Sequence, residues 1–269
     1  MFNPIHPKRP PSTLPRSARR APRLLARSPR SQALALTGLL ALLLPLPGCQ
    51  SITGSPSLAQ VRVIDASTYT AGLDIYQGSA ILAYNLGLGT ITSYVPVSPG
   101  NYGIIANTAG SKAQVVAASG TFSANGQYTA LITDNASTVQ EQILKDQSTP
   151  APSGQVALRF LNQAQAAGGV DVYLIPTGAT IATVVPVLTN LVYGKNSGYL
   201  NVPNGTYTMA VVATGTVPTV AGTTLYTGAA ITYASGAART FVYTSTQSAT
   251  ITTVQVISAD DYDLPSATS

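Results

Sequence analysis

Side chains able to ionise, attack or hold a metal are sparse in this chain of 269 residues: nine Asp or Glu, one histidine (His6) and one cysteine (Cys49). Asp74 and Asp171 stand in matching settings, Leu73-Asp74-Ile75-Tyr76 and Val170-Asp171-Val172-Tyr173. A carboxylate there would serve as acid, base or ligand, or would accept backbone amides at the edge of a strand. Glycoside hydrolysis needs two carboxylates roughly 5 to 10 Å apart, and a single Asp in each setting favours the backbone role. Gly100-Asn101-Tyr102 and Gly205-Thr206-Tyr207 also match. Glycine before the strand permits positive φ, and the Tyr hydroxyl two places on is set to bond back to the turn, as in a tyrosine corner. Asp260, Asp261 and Asp263 lack the glycine turn and closing glutamate of a calcium loop, so they read as a solvated acidic tail. Gly87-Leu88-Gly89 opens no helix and makes no phosphate loop.

Cys49 has a different setting. A Pro-, Ser- and Arg-rich arm is followed by the apolar run Ala33 to Leu46, about 14 residues, which is short of the roughly 20 that span a bilayer and matches a signal-peptide core. Leu46-Pro47-Gly48-Cys49 then resembles the lipobox of bacterial lipoproteins. The resemblance implies cleavage between Gly48 and Cys49, lipid on Cys49 and a membrane-anchored mature chain. Gln50 and Ser51 supply no acidic retention signal, which directs the expectation to the outer membrane. Arg19-Arg20 leaves twin-arginine export open beside the general route.

Cleavage there changes the chemistry. Lys8, Arg9, Arg16, Arg19, Arg20, Arg23, Arg27 and Arg30 all precede Cys49 and no acid does, so the remainder holds six basic against nine acidic side chains, a net charge of −3. The basic footprint that nucleic acid requires is absent from that part. His6 goes with the leader, which excludes histidine-based triads and imidazole or thiolate metal sites from the mature chain. No cofactor and no metal are expected. Disulfides cannot form, so packing alone must hold the fold.

The elements that carry Asp74, Tyr102 and their counterparts occur twice. Gln60-Val61-Arg62-Val63-Ile64-Asp65 returns around Arg159, and Tyr76 returns as Tyr173, both at a step of 97 residues. Tyr94 to Tyr102 returns as Tyr199 to Tyr207 at a step of 105, so eight extra residues fall between Leu174 and Asn190. Thr138-Val139-Gln140 returns as Thr253-Val254-Gln255 at a step of 115. Short alternating runs separated by Gly, Asn and Pro predict strands. In the first run apolar Val61 and Val63 are interleaved with polar Arg62, and Asp65 closes the run. The fold class is all-β: two tandem immunoglobulin-like antiparallel β-sandwiches of about seven strands each, able to fold separately. The organisation reads as leader 1–48, flexible tether 49–58, first sandwich 59–147, a Pro-rich spacing linker 148–153, second sandwich 154–259 and acidic tail 260–269.

The order Val61-Arg62-Val63-Ile64, Leu73-Asp74-Ile75-Tyr76, Leu86-Gly87-Leu88-Gly89 and Pro99-Gly100-Asn101-Tyr102 resembles the bacterial envelope family called domain of unknown function 4397, with both halves sharing the pattern. The resemblance implies a secreted or anchored β-sandwich module with no assigned activity. The expected function is a non-catalytic, lipid-anchored envelope protein that binds a glycan or protein ligand or serves a structural role. The alternative is a carboxylate-dependent hydrolase of polysaccharide or peptidoglycan.

Overall fold

The structure, a computed structural model, describes residues 57–263 apart from 70, 136–137, 219–222 and 247–252. Gly48, Cys49 and the leader lie outside the described residues, as does the chain beyond 263. The first half contains β1 (Ala59–Asp65), β2 (Leu73–Gln77), β3 (Ala80–Leu86), β4 (Val95–Val97), β5 (Gly100–Thr108), β6 (Gln114–Phe122), β7 (Gln127–Asn135) and β8 (Thr138–Asp146). The second contains β9 (Gln155–Gln163), β10 (Val170–Pro176), β11 (Leu188–Leu191), β12 (Asn196–Pro203), β13 (Gly205–Ala213), β14 (Thr224–Tyr233), β15 (Ala238–Ser245) and β16 (Val254–Tyr262). Each half has one strand more than the seven expected, and no α-helix occurs among the described residues.

Strand order is β4-β1-β7-β8 and β3-β2-β5-β6 in the first half, and β12-β9-β15-β16 and β11-β10-β13-β14 in the second. The two connectivities are the same, strand for strand. Pairing is antiparallel except between β1 and β7 and between β9 and β15, which run parallel. The wholly antiparallel expectation is corrected there: each pair joins the opening strand of a half to a strand about 65 to 80 residues later, far beyond what a hairpin connects.

Alternation along β1 explains the layers. Val61 and Val63 pack with Ala130 and Ile132 against Leu73, Ile75, Ile104 and Ala106, forming the core of the first sandwich. The intervening Ile64 joins Leu131, Leu161, Val242 and Ile257, which belong to both halves. Phe160, Phe241 and Tyr243 face Val172 and Val211 in the second core. The order of layers is therefore outer sheet, inner sheet, inner sheet, outer sheet. The central strands of each inner sheet are buried on both faces, β1 and β9 almost throughout.

Three expectations are revised by this packing. Arg62 does not face water; it is 2% exposed. The 148–153 linker does not hold the halves apart: Ala151 is buried and its amide bonds to Gly236 O at 2.9 Å. The tail placed at 260–269 begins inside β16, where Asp261 is 3% exposed and pairs across the sheet near Arg239. Asp260 and Asp263 do face solvent, each 2.9 Å from the Arg239 guanidinium.

The two cores differ at one wall. On β16, Val256 packs into the second core, and the matching place on β8 is Glu141, between Val139 and Ile143. Both carboxylate oxygens of Glu141 are buried, and neither makes a hydrogen bond of normal geometry. Burial pushes its pKa up to about 8, with the Ala118 amide opposing the shift. Unfolded, the same group ionises near the ordinary glutamate value, so the folded chain binds the extra proton between the two. Stability is least affected below that ordinary value and falls as pH rises toward 8. Glu141→Val should accordingly raise the melting temperature at pH 9 by about 5 °C or more, and by much less at pH 5; an equal shift at both pH values, or a fall at pH 9, would contradict the assignment.

Candidate functional site

Each sequence-identified carboxylate has a backbone partner at a strand edge. The Asp74 side chain accepts the amides of Asn85 and Gly110, each at 2.9 Å. Asp171 accepts the Asn190 amide at 2.8 Å and the Thr214 hydroxyl at 3.0 Å. In both halves the Asp ties the strand it sits on to the next strand, β3 or β11, and to the turn that follows β5 or β13. Tyr102 Oη donates to Pro99 O and Tyr207 Oη to Pro203 O, both at 3.0 Å. Gly100 and Gly205 have φ of 149° and 157°, and a Cβ on Gly100 would fall 2.7 Å from Tyr102 Oη. These positions shape turns and present no reactive group.

The charges that do converge are elsewhere, between the inner sheets. Arg62 on β1 lies in register with Thr129 on β7, and Arg159 on β9 with Thr240 on β15. Each arginine Nε donates to that threonine at 2.9 Å. The remaining donors reach into the other half. Arg62 Nη2 pairs with Asp261 and Nη1 donates to Asp260 O at 2.7 Å. Arg159 Nη2 pairs with Asp146 at 2.5 Å and Nη1 donates to Lys145 O at 3.0 Å. The arrangement closes with Arg62 3.7 Å from Asp146 and Arg159 4.0 Å from Asp261.

Hydroxyls of the same half complete each carboxylate. Thr129 and Tyr94 donate to Asp146 at 2.6 and 2.8 Å; Thr240 and Tyr199 donate to Asp261 at the same two distances. The Tyr94 ring lies 4.8 Å from the Arg62 guanidinium, and the Tyr199 ring 4.7 Å from that of Arg159. Every residue on one side thus has a counterpart on the other, which is the pattern of an isologous contact made within one chain.

Two positive and two negative charges cancel here, and the four charged side chains are 0 to 3% exposed. Burial works against the Arg62 cation, yet the fields of Asp261 and Asp146 outweigh it and leave its pKa above the ordinary value. Burial raises the Asp261 pKa, opposed by Arg62 and Arg159. The Tyr94 and Tyr199 hydroxyls are held well above the usual phenol range by burial and the nearby carboxylates, and stay protonated as donors. Each carboxylate is buried and already accepts from two hydroxyls and a guanidinium, three of its roughly four acceptor sites. A shallow groove beside it, lined by Ile91, Thr92, Ser93, Tyr94 and Ser258, meets an Arg62 whose nitrogens are already committed.

Asp146 was missed as a site residue by the sequence reading, and Asp261 was placed in the tail. The signal was available. The step of 115 that relates Thr138 to Thr253 carries Asp146 onto Asp261, just as the step of 97 carries Arg62 onto Arg159.

No curated protein matches the chain. Among solved structures it is similar to family 41 carbohydrate-binding modules from streptococcal virulence factors, described for alpha-glucan recognition, at 11% identity over 62% of this chain and 84% of that one, with a TM-score of 0.23. It is also similar to a family 26 module of Amy13K from Eubacterium rectale in complex with maltoheptaose, at 10% identity over 77% and 98% of the two chains, with a TM-score of 0.23. The model of the family described as domain of unknown function 4397 matches one stretch, residues 59–173, which takes in all of β1 to β8 and continues into β10.

Proposed function

We propose that this chain is a non-catalytic envelope protein, anchored by lipid on Cys49, in which two copies of the 4397 module act as a single rigid body for binding or adhesion. The observation that carries the non-catalytic reading is the sealing of Asp146 and Asp261, the two carboxylates that come together, behind arginine, threonine and tyrosine. Asp74 and Asp171 add to it, since both oxygens of Asp74 accept backbone amides and Oδ1 of Asp171 accepts an amide and a threonine hydroxyl. The second copy is supported by equal strand order and by the paired contribution of one Arg, one Thr, one Tyr and one Asp from each half. The anchor rests on Leu46-Pro47-Gly48-Cys49 behind its apolar run, and the outer membrane on the residues after Cys49. A flexible tether of about ten residues would keep this body close to the lipid while leaving it free to reorient. Replacing Cys49 by Ser should move the protein from the detergent-extracted membrane fraction to the soluble one; retention of the substituted protein in membranes would overturn the anchor.

A further inference from the structure

The outer sheets of the two halves are treated differently by the chain. In the second half, the connection from β10 to β11 runs from Thr177 to Val187 and includes a 3-10 turn at Ile181–Thr183. Ile181 and Val184 from this segment pack on the solvent side of the outer sheet, over Tyr173, Ala210 and Val212, which are at most 7% exposed. In the first half, β2 passes to β3 through Gly78 and Ser79 alone, which is too short to cover anything.

The corresponding face therefore lies open. Cross-strand register places Ile81, Tyr76, Ile105 and Ala117 in one row across β3, β2, β5 and β6. Tyr76 and Ile105 are the counterparts of the covered Tyr173 and Ala210, being paired with each other as those two are. Their neighbours Ile75, Ile104 and Ala106 point into the core, so the row faces outward. Ile81 is 38% and Tyr84, further along β3, 64% exposed. The four strands contain one charged residue, Asp74, and its carboxylate is taken up by the Asn85 and Gly110 amides. Such a face offers nothing to an ionic partner and gains by covering aliphatic surface.

We propose that the open outer face of the first half is a docking surface for an uncharged peptide segment of a partner protein, one that carries two aliphatic side chains three residues apart as Ile181 and Val184 are carried. The chain itself supplies the template: the same sheet position, in the other half, is occupied by a segment of that kind. The absence of charge on the face selects against acidic or basic segments. This inference names the partner chemistry of the binding role proposed above and does not depend on the lipid anchor.

The test is titration of the full chain with a synthetic peptide of residues 177–186, Thr-Gly-Ala-Thr-Ile-Ala-Thr-Val-Val-Pro, labelled for anisotropy. Saturable binding is expected, weakened about tenfold or more by Ser at both aliphatic positions of the peptide, and likewise by Ile105→Asn in the chain. Tyr76→Ser serves as a second variant, and each variant is first checked for an unchanged thermal transition. Failure to saturate at millimolar peptide, equal binding of the doubly substituted peptide, or indifference to both chain variants would overturn the proposal. So would displacement of the peptide by a neutral soluble glucan, or loss of a dimer in sedimentation on Ile105→Asn, since these would give the face to a glycan or to a second copy. Membrane retention through Cys49 is unaffected by every one of these outcomes, so the anchor and the docking face stand or fall separately.

Discussion

Two arginines buried between two β-sheets constrain the rest of this molecule. A guanidinium removed from water is tolerated only with matched carboxylate and complete hydrogen bonding, and breaking such a pair costs about 3 to 5 kcal/mol. Here each arginine lies 3.7 to 4.0 Å from the carboxylate of its own half and pairs more closely with that of the other half, Arg62 with Asp261 and Arg159 with Asp146, while Thr129, Thr240, Tyr94 and Tyr199 donate to those carboxylates. The inner sheets are thereby committed to each other, and Ile64, Leu131, Leu161, Val242 and Ile257 add apolar contact beside the charges. Two sandwiches are joined into one four-layered body by this contact.

The symmetry of that contact makes the asymmetries elsewhere informative. Glu141 stands where the second core has Val256, introducing a carboxyl that the fold prefers protonated. The second outer sheet is closed by Ile181 and Val184, whereas the first exposes its row from Ile81 to Ala117. Both departures fall in regions the quartet does not touch. A scaffold locked at its centre leaves its two outer faces free to take different roles.

Much of the scaffold was legible in the chain because the same residues return at fixed steps. The steps at Arg62, Tyr76, Tyr94 and Thr138 fall on β1, β2, β4, β5 and β8 and their counterparts, and bracket the long connection in the second half. Alternation misled at Arg62, since period two tells which residues share a face but not whether that face meets water. In a four-layer stack the polar side of an inner strand meets another sheet. The cluster at Asp260, Asp261 and Asp263 misled for a related reason: adjacent acids suggest solvation, yet strand alternation turns Asp261 inward and Asp260 outward, and Asp263 lies past the end of β16. What no single-chain pattern conveys is which buried Arg meets which Asp, because that depends on how the two halves are rotated onto each other.

The central claim is that the arginine of one half and the aspartate of the other are energetically one unit. A double-mutant cycle on Arg62→Ala and Asp261→Ala, read by urea unfolding of the full chain, measures this directly. A coupling of about 2 kcal/mol or more is predicted, so that the second substitution costs far less than it does alone. Additive losses, with coupling near zero, would contradict the account.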